Sequence, residues 1–149
     1  GYKDMRPIVY AEEYIEQLDG QLYDYKFYCC DGKAKFLFIA TDRFKKNLTY
    51  DFYDIEFNRM DFKYGGREHA LQAIDKPLFY EDMIRYAEKL SAPFPFVRID
   101  FYETSNKLYV GEMTFYSGGG ILPFDPPEWD YKLGEYINIL NCSGTENAG

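Results

Sequence analysis

The sequence predicts an α+β fold, an antiparallel β-sheet with helices packed on one face. Three observations predict it. DYKFYCC and KAKFLFIA flank an Asp31-Gly32 pair, a strong short-range signal for a two-residue hairpin. The apolar residues Tyr80, Met83, Ile84, Ala87 and Leu90 recur at helical spacing. FPFVRIDFY (94–102) and KLYVGEMTF (107–115) alternate polar and apolar side chains as strands do.

Along the chain, IVYAEEYI (8–15) reads as a short β-rich stretch. The hairpin spans 24–40. Its turn puts Tyr25, Phe27, Cys29, Ala34, Phe36 and Phe38 on one face and Asp24, Lys26, Tyr28, Lys33 and Lys35 on the other. One face is therefore expected packed and the other wet. TYDFYDIEF (49–57) is a further strand, with loops at Gly65-Gly66 and Pro77. The helix at Tyr80 carries Glu81 and Asp82 in its first turn and is stopped by Pro93 and Pro95. A glycine loop, Gly118, Gly119 and Gly120, follows the last strand. Asp125-Pro126-Pro127-Glu128 has the pattern of a helix start: a capping side chain, proline at the first helical position, and Glu three residues after the cap. Trp129, Leu133, Tyr136, Ile137 and Leu140 form the apolar stripe of that helix.

At 149 residues the chain is expected to form one domain with a sizeable core. With 46% hydrophobic and 20% aromatic residues, composition opposes disorder. A net charge of −8 argues against a nucleic-acid partner, whose phosphates are neutralised by Lys and Arg. No apolar run approaches the roughly 20 residues that span a bilayer, and no signal peptide is visible. Cys29, Cys30 and Cys142 lack metal-ligand spacing and an even count, so reduced thiols and a cytoplasmic location are expected. Gly1 without an initiator Met suggests a cut chain, with part of an active site expected upstream of Tyr2.

The strand pair at 94–115 carries the candidate chemistry. A loop of three or five residues around Thr104–Asn106 pairs Arg98 with Glu112 and Asp100 with Val110. Arg98, Asp100, Glu112 and Thr114 then share one face, with Val97, Ile99, Phe101, Tyr109, Met113 and Phe115 on the other. Asp100 and Glu112 become diagonal neighbours about 7–8 Å apart, able to converge on one hard cation. Magnesium suits two carboxylates whose remaining shell is phosphate and water oxygen, and Arg98 beside them suits a phosphoryl group or an oxyanion. Alternation of this kind is also the ordinary pattern of a solvated sheet face. His69 is a lone loop histidine with no assigned role. Arg43, Lys45 and Lys46 read as a solvated turn, with phosphate contact the alternative.

FVRIDFY followed by YVGEMTFYSGGG resembles the Arg-x-Asp, Glu-x-Asn, Gly signature of ATP-grasp ligases. With DYKF upstream and PPEWD downstream, the order resembles the TupA-like (teichuronopeptide biosynthesis) polysaccharide branch, from Arg6-Pro7 to about Leu140. The resemblance implies that the chain, residues 1–149, is the C-terminal ATP-grasp subdomain of a longer protein. It implies Asp100 and Glu112 as magnesium ligands on the ATP phosphates and Arg98 as the catalytic arginine at the acyl-phosphate. Thr114 stands where relatives have the metal-ligating Asn. AEEYI resembles the hinge that reads adenine, implying Glu12, Glu13 and Ile15 near the base. Asp24 would sit at the ribose, with Lys26 beside it on the polar face of the hairpin. Gly118, Gly119 and Gly120 would present backbone N–H groups to the acceptor.

The implied activity is a carboxylate–amine ligase using ATP and Mg2+, with small-molecule carboxylate and amine substrates, and inactive without an upstream lobe. Self-association through an unpartnered cleft is expected. A carbohydrate- or peptide-binding module predicts tyrosines on an exposed sheet face instead. A carboxylate-pair hydrolase remains compatible with the spacing of the two acids.

Overall fold

The computed structural model describes residues 6–12, 15, 23–41 and 48–138. Its strands are β1 (Asp24–Cys30), β2 (Lys33–Thr41), β3 (Thr49–Asp54), β4 (Arg59–Met60), β5 (Lys63–Tyr64), β6 (Phe96–Glu103), β7 (Leu108–Thr114) and β8 (Phe124–Asp125). The helices are α1 (Tyr80–Ser91) and α2 (Glu128–Gly134), with a short turn of 3-10 type at Ser117–Gly120. Six strands form one antiparallel sheet in the order β4-β3-β2-β1-β6-β7, and β5 pairs with β8 in a separate ribbon. The α+β class and the antiparallel sheet follow the sequence reading.

The β1–β2 turn is the expected one. Asp31 and Gly32 have φ of 48° and 71°, the left-handed pair that lets a two-residue loop match the twist of its strands. Beyond the turn the register departs from expectation. Cys29 faces Ala34, but Tyr28 faces Phe36, so Lys35 is an extra residue in a bulge. One extra residue reverses every side chain beyond it. Phe36 and Phe38 therefore leave the face of Phe27 and join Tyr28.

In consequence both faces of the sheet are packed, and the expected wet face is largely aromatic. On one face Phe27, Leu37, Ile39, Val97, Ile99 and Phe101 bury against Tyr80, Met83 and Ala87 of α1. Helix α1 supplies the expected helical layer. On the opposite face Tyr28, Phe36, Phe38 and Phe52 pack with Phe62, Tyr64 and Leu133, so α2 and the ribbon form a second layer. Each fully buried large side chain contributes roughly 1.5–3 kcal/mol of transfer free energy.

Strand β3 stops at Asp54, three residues before the expected end. The Asp54 carboxylate accepts hydrogen bonds from the Asn58 backbone N–H at 2.7 Å and from Asn58 Nδ2 at 2.9 Å, which closes a turn. Phe57 then adopts a φ of 70° and stacks on Tyr53 at 4.4 Å. The stretch at 8–15 contains no strand among its described residues; Ile8, Val9 and Tyr10 are exposed. Hydrophobic composition predicted pairing there, and the described residues supply no partner strand.

Among the described residues neither helix has a side-chain cap. Glu103 on β6 substitutes for α1, accepting the N–H of Phe79 at 3.1 Å and of Leu78 at 3.3 Å. The capping role expected for Asp125 is not realised. Asp125 pairs with Lys63 in the ribbon, and α2 begins three residues later at Glu128. Of its expected stripe, Leu133 is buried and Trp129 packs at a tilt on Phe62, with ring centroids 4.6 Å apart. Tyr136 and Ile137 lie past the helix end, and Leu140 falls outside the described residues. No helix among the described residues is long and apolar enough to cross a membrane.

Candidate functional site

Strand β6 lies between β1 and β7, so its outward polar residues meet side chains from both neighbours. Against β1 the register sets Lys26 opposite Asp100 and Tyr28 opposite Arg98. Against β7 it sets Arg98 opposite Thr114, Ile99 opposite Met113 and Phe101 opposite Val110. The pairings expected from sequence, Arg98 with Glu112 and Asp100 with Val110, are shifted by a bulge. Gly111 and Glu112 together face the single residue Asp100. Gly111 permits this because the Tyr102 ring lies over it; an added Cβ would stand 2.6 Å from Tyr102 Cε2. The bulge also moves Tyr109 opposite Tyr102, away from the apolar face where spacing had put it.

Arg98, Asp100, Glu112 and Thr114 nonetheless converge. Arg98 Nε donates to Asp100 Oδ1 at 2.7 Å, and Nη2 donates to Asp100 Oδ2 at 2.8 Å. The same Nη2 reaches Glu112 Oε1 at 2.7 Å and Thr114 Oγ1 at 2.9 Å. Thr114 in turn donates to Glu112 Oε1 at 2.6 Å. Lys26 Nζ pairs with Asp100 Oδ2 and, at 2.6 Å, with Asp24 Oδ2. Arg98 Nη1 donates to Ser117 Oγ at 3.0 Å, and Ser117 Oγ is 2.7 Å from the Tyr28 hydroxyl. The cluster thus spans three strands and the first residue of the glycine turn.

Its charges are two cations, Lys26 and Arg98, against three carboxylates, Asp24, Asp100 and Glu112, a net of −1. The Asp100 side chain is 0% exposed, which burial permits because both oxygens are ion-paired. Glu112 differs, with 59% of its side chain exposed. The Thr114 hydroxyl acts most strongly on the Glu112 carboxyl; burial opposes it, and with the charges of Arg98 and Lys26 added the carboxyl is held below its ordinary range. Burial disfavours the Arg98 charge, but the hydrogen bond and charge of Asp100 outweigh it, and its pKa rises. Burial pushes the Tyr28 hydroxyl up, so it stays protonated beside Ser117.

The other expected positions are spread out. Glu12 is exposed and Ile15 half-buried in irregular chain, and no hydrogen bond or ion pair among the described residues ties them to Arg98. Glu13, Arg43, Lys45 and Lys46 lie outside the described residues. Gly118, Gly119 and Gly120 have φ of 59°, 68° and 73°, a left-handed run suited to glycine. The Gly119 N–H is engaged by Tyr116 O at 3.1 Å. His69 is structural: its Nδ1 lies 3.1 Å from Tyr50 O and 3.4 Å from the buried Asp51. Sequence reasoning missed Ser117 and Tyr28. A hydroxyl immediately before a glycine run beside the acid pair is the signal that marks Ser117.

Asp100, Glu112 and Thr114 form an all-oxygen set of two carboxylates and a hydroxyl on two adjacent strands, the donor type that a hard cation takes. A protein-family model described as TupA-like ATPgrasp matches residues 1–138. The chain belongs to the TupA-like ATP-grasp family. No curated protein and no solved structure matches it. Family membership supports an ATP-grasp domain of the ligase type, and Arg98, Asp100 and Glu112 are its convergent charged residues.

ATP-grasp proteins generally use magnesium with ATP. Among the described residues no group of three or more His, Cys, Asp or Glu forms a closed metal cage. Magnesium does not need one, because it is usually held by one or two carboxylates plus phosphate oxygens and water. Asp100 and Glu112 fit in kind, and Glu112 is open to the outside. Arg98 Nη2 bridges the two acids, so an ion shared by both must displace that bridge or sit on its outer side.

Proposed function

We propose that this chain is the Mg-ATP-binding part of a carboxylate–amine ligase acting in cell-surface polysaccharide or teichuronopeptide biosynthesis in the cytoplasm. The observation that carries the reading is the pair Asp100 and Glu112 brought onto one guanidinium. Asp100 and Glu112 would hold magnesium, which would supply charge neutralisation to the ATP phosphates. Lys26 and Asp24 border the same face, where the ribose and phosphates would lie. Arg98 Nη1 has two N–H groups and, among the described residues, one hydrogen bond, to Ser117. The other is suited to the oxygen on which negative charge develops.

The chemistry balances in two steps. A substrate carboxylate oxygen attacks the γ-phosphorus of ATP, the bond to ADP breaks, and an acyl-phosphate forms. An amine then attacks the acyl carbon, phosphate leaves, and the amine loses a proton to give an amide. The residues contribute position and charge stabilisation, with no covalent bond to the protein.

Two rival readings fit the site less well. Of the tyrosines in the six-stranded sheet, Tyr25, Tyr28 and Tyr53 are buried and Tyr50, Tyr102 and Tyr109 are half-buried, so none is a fully exposed platform for sugars. A glycosidase needs a carboxyl acid with a raised pKa. Glu112, the exposed acid of the pair, is instead shifted downward. The test is a hydroxylamine trap on the full-length protein with ATP, Mg2+ and a panel of carboxylates. The ligase reading expects a hydroxamate with ADP and phosphate, lost in Arg98→Ala. Release of AMP and pyrophosphate would replace the acyl-phosphate with an acyl-adenylate.

A further inference from the structure

A cavity of about 310 Å³ lies beside the glycine turn, and the ligase reading leaves it unassigned. Its walls are aromatic. Tyr28 and Phe36 stack at 4.5 Å with 19° between their planes, and Phe96 stands 6.0 Å from Tyr28. Gly118 lets the glycine turn approach two further lining residues: a Cβ there would lie 2.5 Å from the Tyr64 hydroxyl and 2.7 Å from Leu122 Cδ1. The lining is polar where Ser117 Oγ meets the Tyr28 hydroxyl and Arg98 Nη1, and again where Tyr64, Tyr116 and the acidic Asp130 join the wall. The cavity is thus mostly apolar along its walls and touches the cluster of Arg98 and Asp100 through Ser117.

We propose that this cavity seats the side chain of the acceptor amine, and that the acceptor carries an aromatic ring. The proposal rests on the ligase reading and names its substrate class. An apolar cavity of roughly 150 Å³ admits benzene, so twice that volume accommodates a substituted ring. A sugar ring would bring several hydroxyls against walls of Phe36, Phe96 and Leu133. Of the polar groups in the lining, the hydroxyls of Tyr28 and Ser117 already bond each other, so Tyr64, Tyr116 and Asp130 are too few to meet every hydroxyl of a sugar ring. Hydroxyls left unpaired in such a site oppose binding. An aromatic ring pays no such penalty and stacks on the same walls. With the ring inside, a short aliphatic arm would carry the amine toward Ser117 and the spare N–H of Arg98, where the acyl carbon must lie.

The test is calorimetric binding of phenethylamine and of glucosamine to the full-length protein without nucleotide. Two variants fill the cavity from its rim, Gly134→Leu and Ile137→Trp. Gly134 borders the cavity, and a Cβ there meets no atom within 4 Å, so the fold tolerates the added bulk. Phenethylamine is expected to bind, to weaken about tenfold or more in either variant, and to outcompete glucosamine. Tighter binding of glucosamine, no binding of phenethylamine, or equal phenethylamine affinity in wild type and both variants would overturn the proposal. Hydroxamate formation with any of those results would leave the ligase reading standing. Phenethylamine bound in this cavity by a protein that forms no hydroxamate would remove the ligase reading, and the acceptor assignment with it.

Discussion

Arg98 gathers the polar face, because its guanidinium is the group that Asp100, Glu112, Thr114 and Ser117 all touch. Replacing Ser117 with Ala strands a buried Arg98 N–H and the Tyr28 hydroxyl. Unfolding in urea should then show a loss of about 1–3 kcal/mol. Glu112 supplies a pH test. Its folded pKa lies below the unfolded value of 4.5, so its contribution to stability is complete above that value. The contribution is lost as pH falls through the depressed folded value. Carbon-detected NMR of the Glu112 carboxyl should give a midpoint below 4.5, and Thr114→Ala should move it upward, since the Thr114 hydroxyl is the largest cause. Arg98, Asp100, Glu112 and Thr114 were legible in the sequence because they alternate within two strands and match a family signature. Ser117 and Tyr28 were not. The serine belongs to no periodic pattern, and Tyr28 sat on a face whose burial depends on a later bulge.

At the level of elements, two bulges separate the predicted sheet from the observed one. Strand existence was readable from alternation, and the Asp31-Gly32 turn fixed the hairpin. A bulge inserts one residue into an otherwise regular period, and alternation on either side of it looks the same. The extra residue at Lys35 reversed Phe36 and Phe38, and the pair Gly111-Glu112 shifted Arg98 from Glu112 to Thr114. The β7 bulge depends on a missing side chain. Gly111→Ala should cost about 1–3 kcal/mol by overpacking against Tyr102, and most of that added cost should vanish in a Tyr102→Ala background. Additive effects in thermal unfolding would show that the Tyr102 ring does not constrain position 111. The aromatic layer should be far less forgiving. Phe52 is fully buried against Phe62 and Phe38, and Phe52→Ala should lose about 3–5 kcal/mol in the same assay.

For the molecule as a whole, the sheet is packed on both faces over its inner strands and open along β7, and the acid pair lies where the aromatic layer meets that edge. That arrangement keeps Asp100 dry and paired while leaving Glu112 open, one acid fixed and one available. Composition and charge could foresee a folded acidic domain. They could not foresee that the face of the site would be mostly hydrocarbon, because that follows from where the bulges fall. The most direct measurement is calorimetric titration of ATP into the full-length protein, with Mg2+ and with chelator, for wild type, Asp100→Asn and Glu112→Gln. If the two acids hold the ion together, wild type binds ATP in a Mg2+-dependent way. Each variant then weakens it about tenfold or more with an unchanged circular dichroism spectrum. Equal Mg-ATP affinity in all three proteins would contradict the joint metal site.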